Sequence, residues 1–405
     1  MSFSPDFFVG NRRQLIQTLE PDSAIVLTAH GNLQRSTDGA YRFEQEANFF
    51  YLSGIDDADW RLIIDCDSGH ATLVAPTLQR IQQLFDPAIT AEQAQQISGV
   101  DAVVDTKAGA ALLQHITSTK RHIYGLEPPR RRLYGFYTNR ARYDLWRQLP
   151  TAKRRDVRLT LAKQRAIKQP IEIATVQKAI DVTVVALQKL AQTLPQLSYE
   201  YEAEALLSYE FRRQGLHHGY DPIVASGPGA CVLHYDHNQA RLQKDQLLLI
   251  DVGAVVDHYP ADMTRTFAID PPTDRQMQVY EAVQRVHDFA LALHTPGQPV
   301  RAYLEQVDQA MGEELIQLGL IKKISWDTVR QYFPHAIGHG LGLDVHDALG
   351  RPEVFAENMV ITVEPGIYIP EEGIGVRLEN DILITADGPR NLSSALNDRQ
   401  ILPAR

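Results

Sequence analysis

Four carboxylates occupy positions where hydrophobic strands are expected, and they are the side chains best able to do chemistry. Asp251 directly follows the largely apolar run 247–250, and Glu364 directly follows the run 360–363. An ionised carboxylate at the end of a buried strand is costly unless it is paired with a cation or bound to a metal. The four carboxylates are Asp251, Asp262, Glu364 and Glu379.

The other two of these carboxylates lie in segments with the same character. Asp262 begins another strand-like segment, and Glu379 lies within 376–385, which we predict to be one strand. Because side chains alternate between the faces of a strand, Arg377, Glu379 and Asp381 should share one face. Simpler interpretations exist for single residues, such as a turn cap at an aspartate or an ion pair between Arg377 and Glu379.

Histidines supply nitrogen ligands and proton donors for such a site. His335 and His339 lie in the glycine-rich segment 334–342, His346 follows it, and His234 lies upstream. A single histidine is more often structural, but four carboxylates with one imidazole form the oxygen-rich set that hard divalent ions prefer. Bridging carboxylates suit two ions, which can share and deprotonate a water molecule. The residues alone therefore predict a metal hydrolase.

Two patterns of secondary structure divide the chain near residue 170. Before that point short strands alternate with helices, which predicts an α/β domain. After it, strands and helices come in separate runs, which is typical of an α+β domain. Pro170 begins a long amphipathic helix, at a position where its missing N–H costs nothing. We therefore predict two domains, 1–169 and 170–405, with all the candidate residues in the second.

Composition excludes several classes of protein. The chain has 405 residues, of which 44% are hydrophobic and 22% charged, as in ordinary globular proteins. No apolar run approaches the length that a bilayer demands, so we expect no membrane partner. Cys66 and Cys231 are too few for a disulfide framework, which favours a soluble protein of a reducing compartment, the cytoplasm.

The distribution of charge bears on the choice of partners. A net charge of −10 disfavours nucleic acid, so we expect no nucleic-acid partner. The exception is segment 120–168, which includes Arg130-Arg131-Arg132 and carries 15 basic and 3 acidic residues. We interpret this segment as a solvated surface with salt bridges to an acidic neighbour, because it lacks the regularly spaced aromatic residues of a nucleic-acid patch.

Five short motifs in the second domain resemble those of the proline-specific branch of the M24, or pita-bread, metallopeptidases. Segment 165–172 is similar to the family's entry to its catalytic domain. Segment 35–54 resembles the N-terminal domain of the aminopeptidase P members of the family. The resemblance covers nearly the whole chain, and the five motifs together are highly specific. They lie at 250–254, 261–267, 338–347, 363–368 and 375–380.

The resemblance implies a pita-bread fold for the second domain and a dinuclear metal site. Asp251 and Asp262 would hold one ion together with Glu379. Asp262 and Glu379 would bridge to a second ion, which His339 and Glu364 would complete. Manganese is the usual metal of the family, and zinc or cobalt can occupy similar sites.

The resemblance also implies catalytic and substrate-binding roles. Glu364 would take a proton from the attacking water and pass it to the leaving proline nitrogen. His234 and His346 would contact the scissile carbonyl and stabilise the developing oxyanion. The substrate-binding residues would be His335 in the proline pocket, Arg377 orienting Glu379 or meeting a substrate carboxylate, and Tyr368 near the metals.

The activity that the resemblance implies is hydrolysis of the N-terminal Xaa-Pro bond of peptides with proline in the second position. An Xaa-Pro aminopeptidase is the first hypothesis, and an Xaa-Pro dipeptidase is the alternative. A non-catalytic binding protein on the same fold is the alternative from a different class. Family members often pair, so we also expect a homodimer, with Asp38, Phe49 and Phe50 in the segment that approaches the neighbour.

Overall fold

A computed structural model of the chain describes residues 3–78, 88–129 and 139–396. The chain divides into two compact units, residues 1–164 and 165–405, so the division falls slightly before the predicted boundary at 169/170. None of the described helices combines the length and the hydrophobicity needed to span a bilayer.

Residues 1–164 form a unit built on one six-stranded mixed sheet, in the strand order β4-β3-β2-β1-β5-β6. Its strands are β1 (Ser23–Thr28), β2 (Arg61–Asp65), β3 (Ala71–Val74), β4 (Ala102–Val104), β5 (His122–Gly125) and β6 (Arg154–Asp156). Within 3–78, 88–129 and 139–166 its helices are α1 (Pro5–Ile16), α2 (Ala47–Ser53), α3 (Ala91–Ser98), α4 (Thr106–Thr119), α5 (Arg140–Gln148) and α6 (Arg158–Ala166), the last of which crosses the division at 164/165.

The sheet explains why strands and helices alternate in this part of the sequence. β1 lies inside the sheet, antiparallel to β2 and parallel to β5. Ala24 and Val26 of β1 pack with Leu113 and Ile116 of α4 in one hydrophobic cluster. A central strand covered by helices reads as a continuous hydrophobic run, as β1 does. The predicted α/β class of the first domain is confirmed.

Many basic side chains of segment 120–168 are paired within this unit. Lys120 donates to both Asp65 and Asp67, at 2.6 and 2.7 Å. Arg158 forms an ion pair with Asp156 at 2.8 Å. The run 130–132, which holds three of the segment's 15 basic residues, lies outside the described residues.

Phe49 and Phe50 lie in the segment that is expected to approach a neighbouring chain, but their side chains are not at its surface. Both belong to α2 and are buried in their own unit, at 0% and 6% exposure. The Phe50 ring packs edge-on against Phe8 of α1 at 5.9 Å. The two phenylalanines therefore complete the packing of their own unit. Asp38, in contrast, is exposed.

Residues 165–405 form a unit in which helices and small antiparallel sheets are segregated. Its helices are α7 (Pro170–Thr193), α8 (Glu200–Arg212), α9 (Asp274–Ala292), α10 (Val300–Gln317) and α11 (Trp326–Arg330). Its strands are β7 (His217–His218), β8 (Ile223–Ser226), β9 (Leu247–Val252), β10 (Ala254–Val256), β11 (Tyr259–Pro260), β12 (Met263–Ala268), β13 (Val360–Val363), β14 (Gly366–Ile369), β15 (Ile374–Arg377), β16 (Asn380–Thr385) and β17 (Gly388–Asn391).

The sheets of this unit are short, and most of them share one core. The strand orders are β11-β10-β7, β12-β9-β8, β13-β16-β17 and β14-β15. Residues of α9 and α10 pack against β13, β14 and β16 in one large hydrophobic cluster that includes Val283, Met311, Val363, Ile367 and Ile382. This arrangement confirms the predicted α+β class.

Local signals in the sequence start and end the helices of this unit. Pro170 is the first residue of α7, and the Gln169 N–H donates to the Glu172 carboxylate at 2.8 Å. Gly215, with φ of 78°, lies shortly after the end of α8. The residue before α8 is Tyr199, and the Glu202 carboxylate accepts the N–H groups of Ser198 and Tyr199 at this end of the helix.

The predicted single strand over 376–385 is wrong, because the chain leaves one sheet and joins another. β15 pairs with β14 and β16 pairs with β13, and the break between them contains Leu378 and Glu379. Here the Leu378 N–H donates to the Pro365 carbonyl, and the Glu379 N–H donates to the Thr264 carbonyl. A hydrophobic alternation continued across the break, so the sequence pattern did not reveal it.

Gly253 gives a direct test of how tightly β9 turns into β10. A Cβ atom at Gly253 would lie 1.7 Å from the Ala261 carbonyl oxygen, so Gly253→Ala must move backbone between Asp251 and Asp262. We expect a loss of stability of more than about 2 kcal/mol. As a control, Gly10→Ala in α1 meets no atom within 4 Å and should stabilise by roughly 0.5–1 kcal/mol. Calorimetric unfolding compares the two, and a Gly253→Ala protein as stable as the wild type contradicts this packing.

Candidate metal centre

The two aspartates are brought together by a pair of antiparallel strands. Asp251 lies near the end of β9, opposite Thr264 of β12, and Asp262 immediately precedes β12. The Asp262 N–H donates to the buried carboxylate of Asp381 at 3.3 Å. Asp262 is buried, and the Asp251 side chain is 13% exposed. The antiparallel pairing of β9 and β12 therefore sets the positions of both carboxylates through the backbone.

The two glutamates come from the neighbouring sheet connections. Glu364 directly follows β13, and its N–H donates to the Ile337 carbonyl at 2.9 Å. Glu379 lies in the break between β15 and β16, where its N–H donates to the Thr264 carbonyl at 3.1 Å. The Thr264 hydroxyl also donates to Glu379 Oε2 at 2.6 Å. The interruption of the strand thus holds Glu379 against the strand that carries the aspartates.

His339 is placed by the strand that precedes Glu364. Its N–H donates to the Thr362 hydroxyl at 3.0 Å, and the Thr362 N–H donates back to the His339 carbonyl at 2.9 Å. Gly338 is required here, since a Cβ atom would lie 2.0 Å from the Thr362 carbonyl oxygen. The ring Nδ1 is 3.0 Å from the Gly340 carbonyl, which directs Nε2 to Asp262 and Glu364 at 3.3 and 3.4 Å.

All five predicted ligands converge on one place. Together with His346, their ligand atoms form three overlapping groups, in each of which the atoms lie within 4.8 Å of one another. The groups are Asp251–Asp262–Glu379, His339–Glu364–Glu379 and Asp262–His339–His346. Sharing of Asp262 and Glu379 between groups is the arrangement that carboxylates bridging two cations require.

The electrostatics of this cluster fit a bound cation. Burial and the charge of Asp262 raise the pKa of Glu379 well above its usual value. Burial also raises the pKa of Glu364 to about 7. Burial alone would lower the pKa of His339, but the hydrogen bond and charge of Asp262 raise it to about 9. Oxygen ligands with one imidazole suit a hard or borderline divalent ion, whose charge relieves the repulsion among the carboxylates.

Arg377 orients Asp251 and not Glu379, which corrects one expected role. Its Nη2 donates to Asp251 Oδ2 at 2.6 Å, Nε to the Thr264 hydroxyl at 3.0 Å, and Nη1 to the Tyr368 hydroxyl at 2.8 Å. The guanidinium is buried, and all three nitrogens are engaged by the protein. The break after β15 turns Glu379 toward Thr264 and leaves Arg377 facing Asp251.

His335 and Tyr368 form a chain of hydrogen bonds that begins at Arg377. The Tyr368 hydroxyl accepts from Arg377 and lies 2.8 Å from His335 Nε2. His335 Nδ1 lies 2.8 Å from the Ala336 carbonyl and 3.5 Å from Glu364 Oε2. Burial and the charge of Arg377 lower the pKa of His335 to about 3. The imidazole is therefore neutral, with Nδ1 as donor and Nε2 as acceptor.

His346 and His234 lie at the exposed side of the cluster. The rings of His339 and His346 are 4.2 Å apart. Burial lowers the pKa of His346, and the neighbouring imidazoles of His339 and His234 lower it further. The structure thus brings His346 to the carboxylates and places His234 near His346.

Tyr220 and two threonines were missed by the sequence analysis. The Tyr220 hydroxyl lies 2.6 Å from Asp251 Oδ1 and 2.7 Å from Asp262 Oδ1. Thr264 bonds Glu379, and Thr362 bonds the backbone of His339. Thr264 could have been found, because it is two residues after Asp262 and so on the same face of β12. Tyr220 lies in a loop before β8, where no spacing reveals it.

Each of the two units matches a known protein family. The family described as metallopeptidase family M24 matches residues 174–386. The family described as the N-terminal domain of aminopeptidase P matches residues 8–124.

Relatives and solved structures match almost the whole chain. An Xaa-Pro aminopeptidase of Haemophilus influenzae is 30% identical, over 96% of this chain and 94% of that protein. Xaa-Pro aminopeptidase 1 of Streptomyces coelicolor is 31% identical, over 96% of this chain and 84% of that protein. The structure of Escherichia coli aminopeptidase P with the inhibitor Pro-Leu is 28% identical, with a TM-score of 0.87 and coverage of 98% and 97%.

A fold and site of this kind define a metal-dependent hydrolase. The chain belongs to metallopeptidase family M24, and it is a peptidase. The resemblance found in the five motifs is confirmed, together with the α/β and pita-bread organisation of the two domains.

Tyr220 allows a test of the metal centre that leaves every candidate ligand in place. Tyr220→Phe removes the hydroxyl that contacts Asp251 and Asp262, so both carboxylates lose an orienting partner. We expect metal affinity to fall by about 10- to 100-fold, as for other residues that orient ligands. Titration calorimetry with manganese measures the change.

The matched control is Tyr303→Phe, which removes another buried hydroxyl from the same unit. Tyr303 has no hydrogen-bond partner for its hydroxyl among the described residues. This variant should bind manganese as the wild type does. Equal affinity in both variants would show that the Tyr220 hydroxyl does not support the centre.

Proposed function

We propose that this chain is an Xaa-Pro aminopeptidase that uses two divalent ions to hydrolyse the bond before proline in the second position of a peptide. The observation that carries the proposal is the convergence of the five ligand residues in overlapping groups. Relatives named Xaa-Pro aminopeptidases align with both units of the chain, which supports the same substrate class here.

The donor set supports manganese as the metal, with zinc or cobalt as substitutes. Asp251, Asp262 and Glu379 would hold one ion, and His339 and Glu364 would complete the second with the shared carboxylates. Carboxylate oxygens favour manganese over softer ions. When bound, two such ions lower the pKa of a shared water, so that a nucleophile is present at neutral pH.

Glu364 is the proposed proton carrier. It would accept a proton from the attacking water and deliver it to the proline nitrogen as the peptide bond breaks. Its carboxylate lies beside His335 and His339, at 3.5 and 3.4 Å, so its position is restrained from both sides. General acid–base catalysis requires a carboxyl group held within hydrogen-bond reach of the water.

The histidines around Glu364 are proposed to bind the substrate. His234 and His346 would donate hydrogen bonds to the scissile carbonyl and stabilise the charge that develops on its oxygen. His335 would offer its ring to the pyrrolidine, since both of its nitrogens already have protein neighbours. Tyr368 would act through His335.

The contacts of Arg377 favour the aminopeptidase over the dipeptidase. A dipeptidase must bind the carboxylate that directly follows proline, and an arginine with free nitrogens is the usual partner. The three guanidinium nitrogens of Arg377 donate hydrogen bonds to Asp251, Thr264 and Tyr368. We therefore do not propose Arg377 as the cation that would bind a substrate carboxylate after proline.

Assembly and location complete the proposal. We propose a homodimer, to which the exposed segment around Asp38 would contribute, and light scattering at micromolar concentration tests this. We also propose a cytoplasmic location, because Cys66 and Cys231 are both free thiols, as a reducing compartment keeps them.

Peptide length tests the proposed function most simply. We expect Ala-Pro-Ala and longer peptides to be cleaved at least as well as Ala-Pro. The reason is that Arg377 is already bound within the protein and does not favour substrates with a carboxylate directly after proline. Competition kinetics on the manganese-loaded enzyme measure the ratio, with Ala-Ala-Ala as a control for proline specificity. Cleavage restricted to Ala-Pro would make the protein a dipeptidase, and no turnover with any metal would favour a non-catalytic binding protein.

Glu364→Gln tests the proton carrier. The amide keeps an oxygen as a potential ligand but cannot accept and release a proton, so we expect kcat to fall on the order of a hundredfold or more. Glu353→Gln, at an exposed position of the same unit, should have no effect. If Glu364→Gln retains its metal and nearly normal turnover, another group moves the proton.

A further inference from the structure

Glu200 is a fully buried carboxylate outside the metal centre, and it accepts four hydrogen bonds. It is the first residue of α8 and is 0% exposed. Its Oε1 accepts from the N–H and the hydroxyl of Ser226, both at 2.7 Å. Its Oε2 accepts from the Tyr235 hydroxyl at 2.9 Å and from the Ala240 N–H at 2.8 Å.

These donors belong to the two ends of the segment that carries His234. Ser226 ends β8, and Ala240 closes the segment 14 residues later, where the Glu200 N–H donates to its carbonyl at 3.0 Å. Tyr235 is the residue directly after His234. One carboxylate therefore ties together both ends of the segment 227–239 and the residue beside the histidine.

Asn238 provides a second attachment within the same segment. It adopts a left-handed conformation with φ of 48°, and its Oδ1 accepts the Val224 N–H at 2.9 Å. Its Nδ2 donates to the Pro222 carbonyl at 2.9 Å. The chain beyond His234 is thus fastened to β8 as well as to Glu200.

The ring of His234 depends on this backbone. The His234 side chain is exposed, and within the described part of the chain no hydrogen bond to its ring is present. On the other side of His234, Leu233 and Cys231 pack against the hydrophobic cluster that contains Tyr368. The fastened backbone on either side therefore determines how far the imidazole reaches toward His346.

We propose that Glu200 is a positioning residue that holds His234 where it can reach the scissile carbonyl. The inference rests on the proposed function, because it assigns Glu200 an effect through a substrate-binding histidine. A carboxylate is suited to this place because it only accepts hydrogen bonds, and all four partners are donors. A glutamine would direct an amide N–H₂ at two of those donors and leave a backbone N–H without an acceptor.

The test compares Glu200→Gln with Glu202→Gln in the manganese-loaded enzyme. Glu202 lies on the same helix, and its carboxylate caps Ser198 and Tyr199 without touching segment 227–239. We expect Glu200→Gln to lower kcat/KM by ten- to a hundredfold, the order that follows from displacing a substrate-binding group by about 1 Å. Glu202→Gln should keep the wild-type value.

A second comparison separates positioning from a merely structural role. In a His234→Ala background, Glu200→Gln should change kcat/KM by less than about twofold, since the histidine through which it acts is gone. Tyr235→Phe, a milder variant that removes one donor, should show the same dependence on His234. If the losses from Glu200→Gln and His234→Ala simply multiply, the proposal is overturned.

Hydrogen exchange provides a readout that does not depend on activity. Glu200→Gln should accelerate exchange of the amides in 232–240 while manganese stoichiometry stays unchanged. Unchanged exchange there would overturn the proposed attachment even if activity fell. If the wild-type enzyme cleaves no Xaa-Pro peptide, the proposed function fails, and the exchange result alone then decides whether Glu200 holds this segment.

Discussion

Mutual repulsion of buried carboxylates is the constraint on which the centre of the second unit depends. Asp251, Asp262, Glu364 and Glu379 lie close together with little access to water. Burial raises the pKa of Asp251, Glu364 and Glu379, so the ionised cluster is unstable by itself. Such a cluster is retained in a fold when a cation of high charge compensates it. Metal binding and the integrity of this region are therefore linked.

The surrounding protein supplies orientation more than charge. Among the arginines and lysines of the described residues, Arg377 is the one that forms an ion pair with the cluster, and its partner is Asp251. Hydroxyl groups of Tyr220, Thr362 and Thr264 hold Asp262, Glu364 and Glu379, respectively, without neutralising them. Partners of this kind fix the direction of ligand atoms and leave the negative charge available to a metal. The imidazole of His335 is also neutral, because burial and the charge of Arg377 lower its pKa to about 3.

The sequence predicted the ligands well because a carboxylate after a hydrophobic run is chemically conspicuous. Asp251 and Glu364 follow such runs, and the motifs around them resemble a known family. The sequence did not reveal the break at Leu378 and Glu379, since hydrophobic alternation continues through a change of sheet. Nor could it reveal Tyr220 or Glu200, whose partners are remote in sequence and are brought near only by the packing of β8 and β9. Local patterns report periodicity and composition, whereas these contacts depend on tertiary structure.

Anomalous diffraction from crystals of the manganese-loaded protein tests the central claim most directly. The account predicts two manganese peaks per chain. One should lie among Asp251, Asp262 and Glu379, and the other among His339, Glu364 and the shared carboxylates. Removal of the metal by a chelator should abolish peptidase activity, and its return should restore it. A fully active protein with a single peak, or with none at this cluster, would contradict the account.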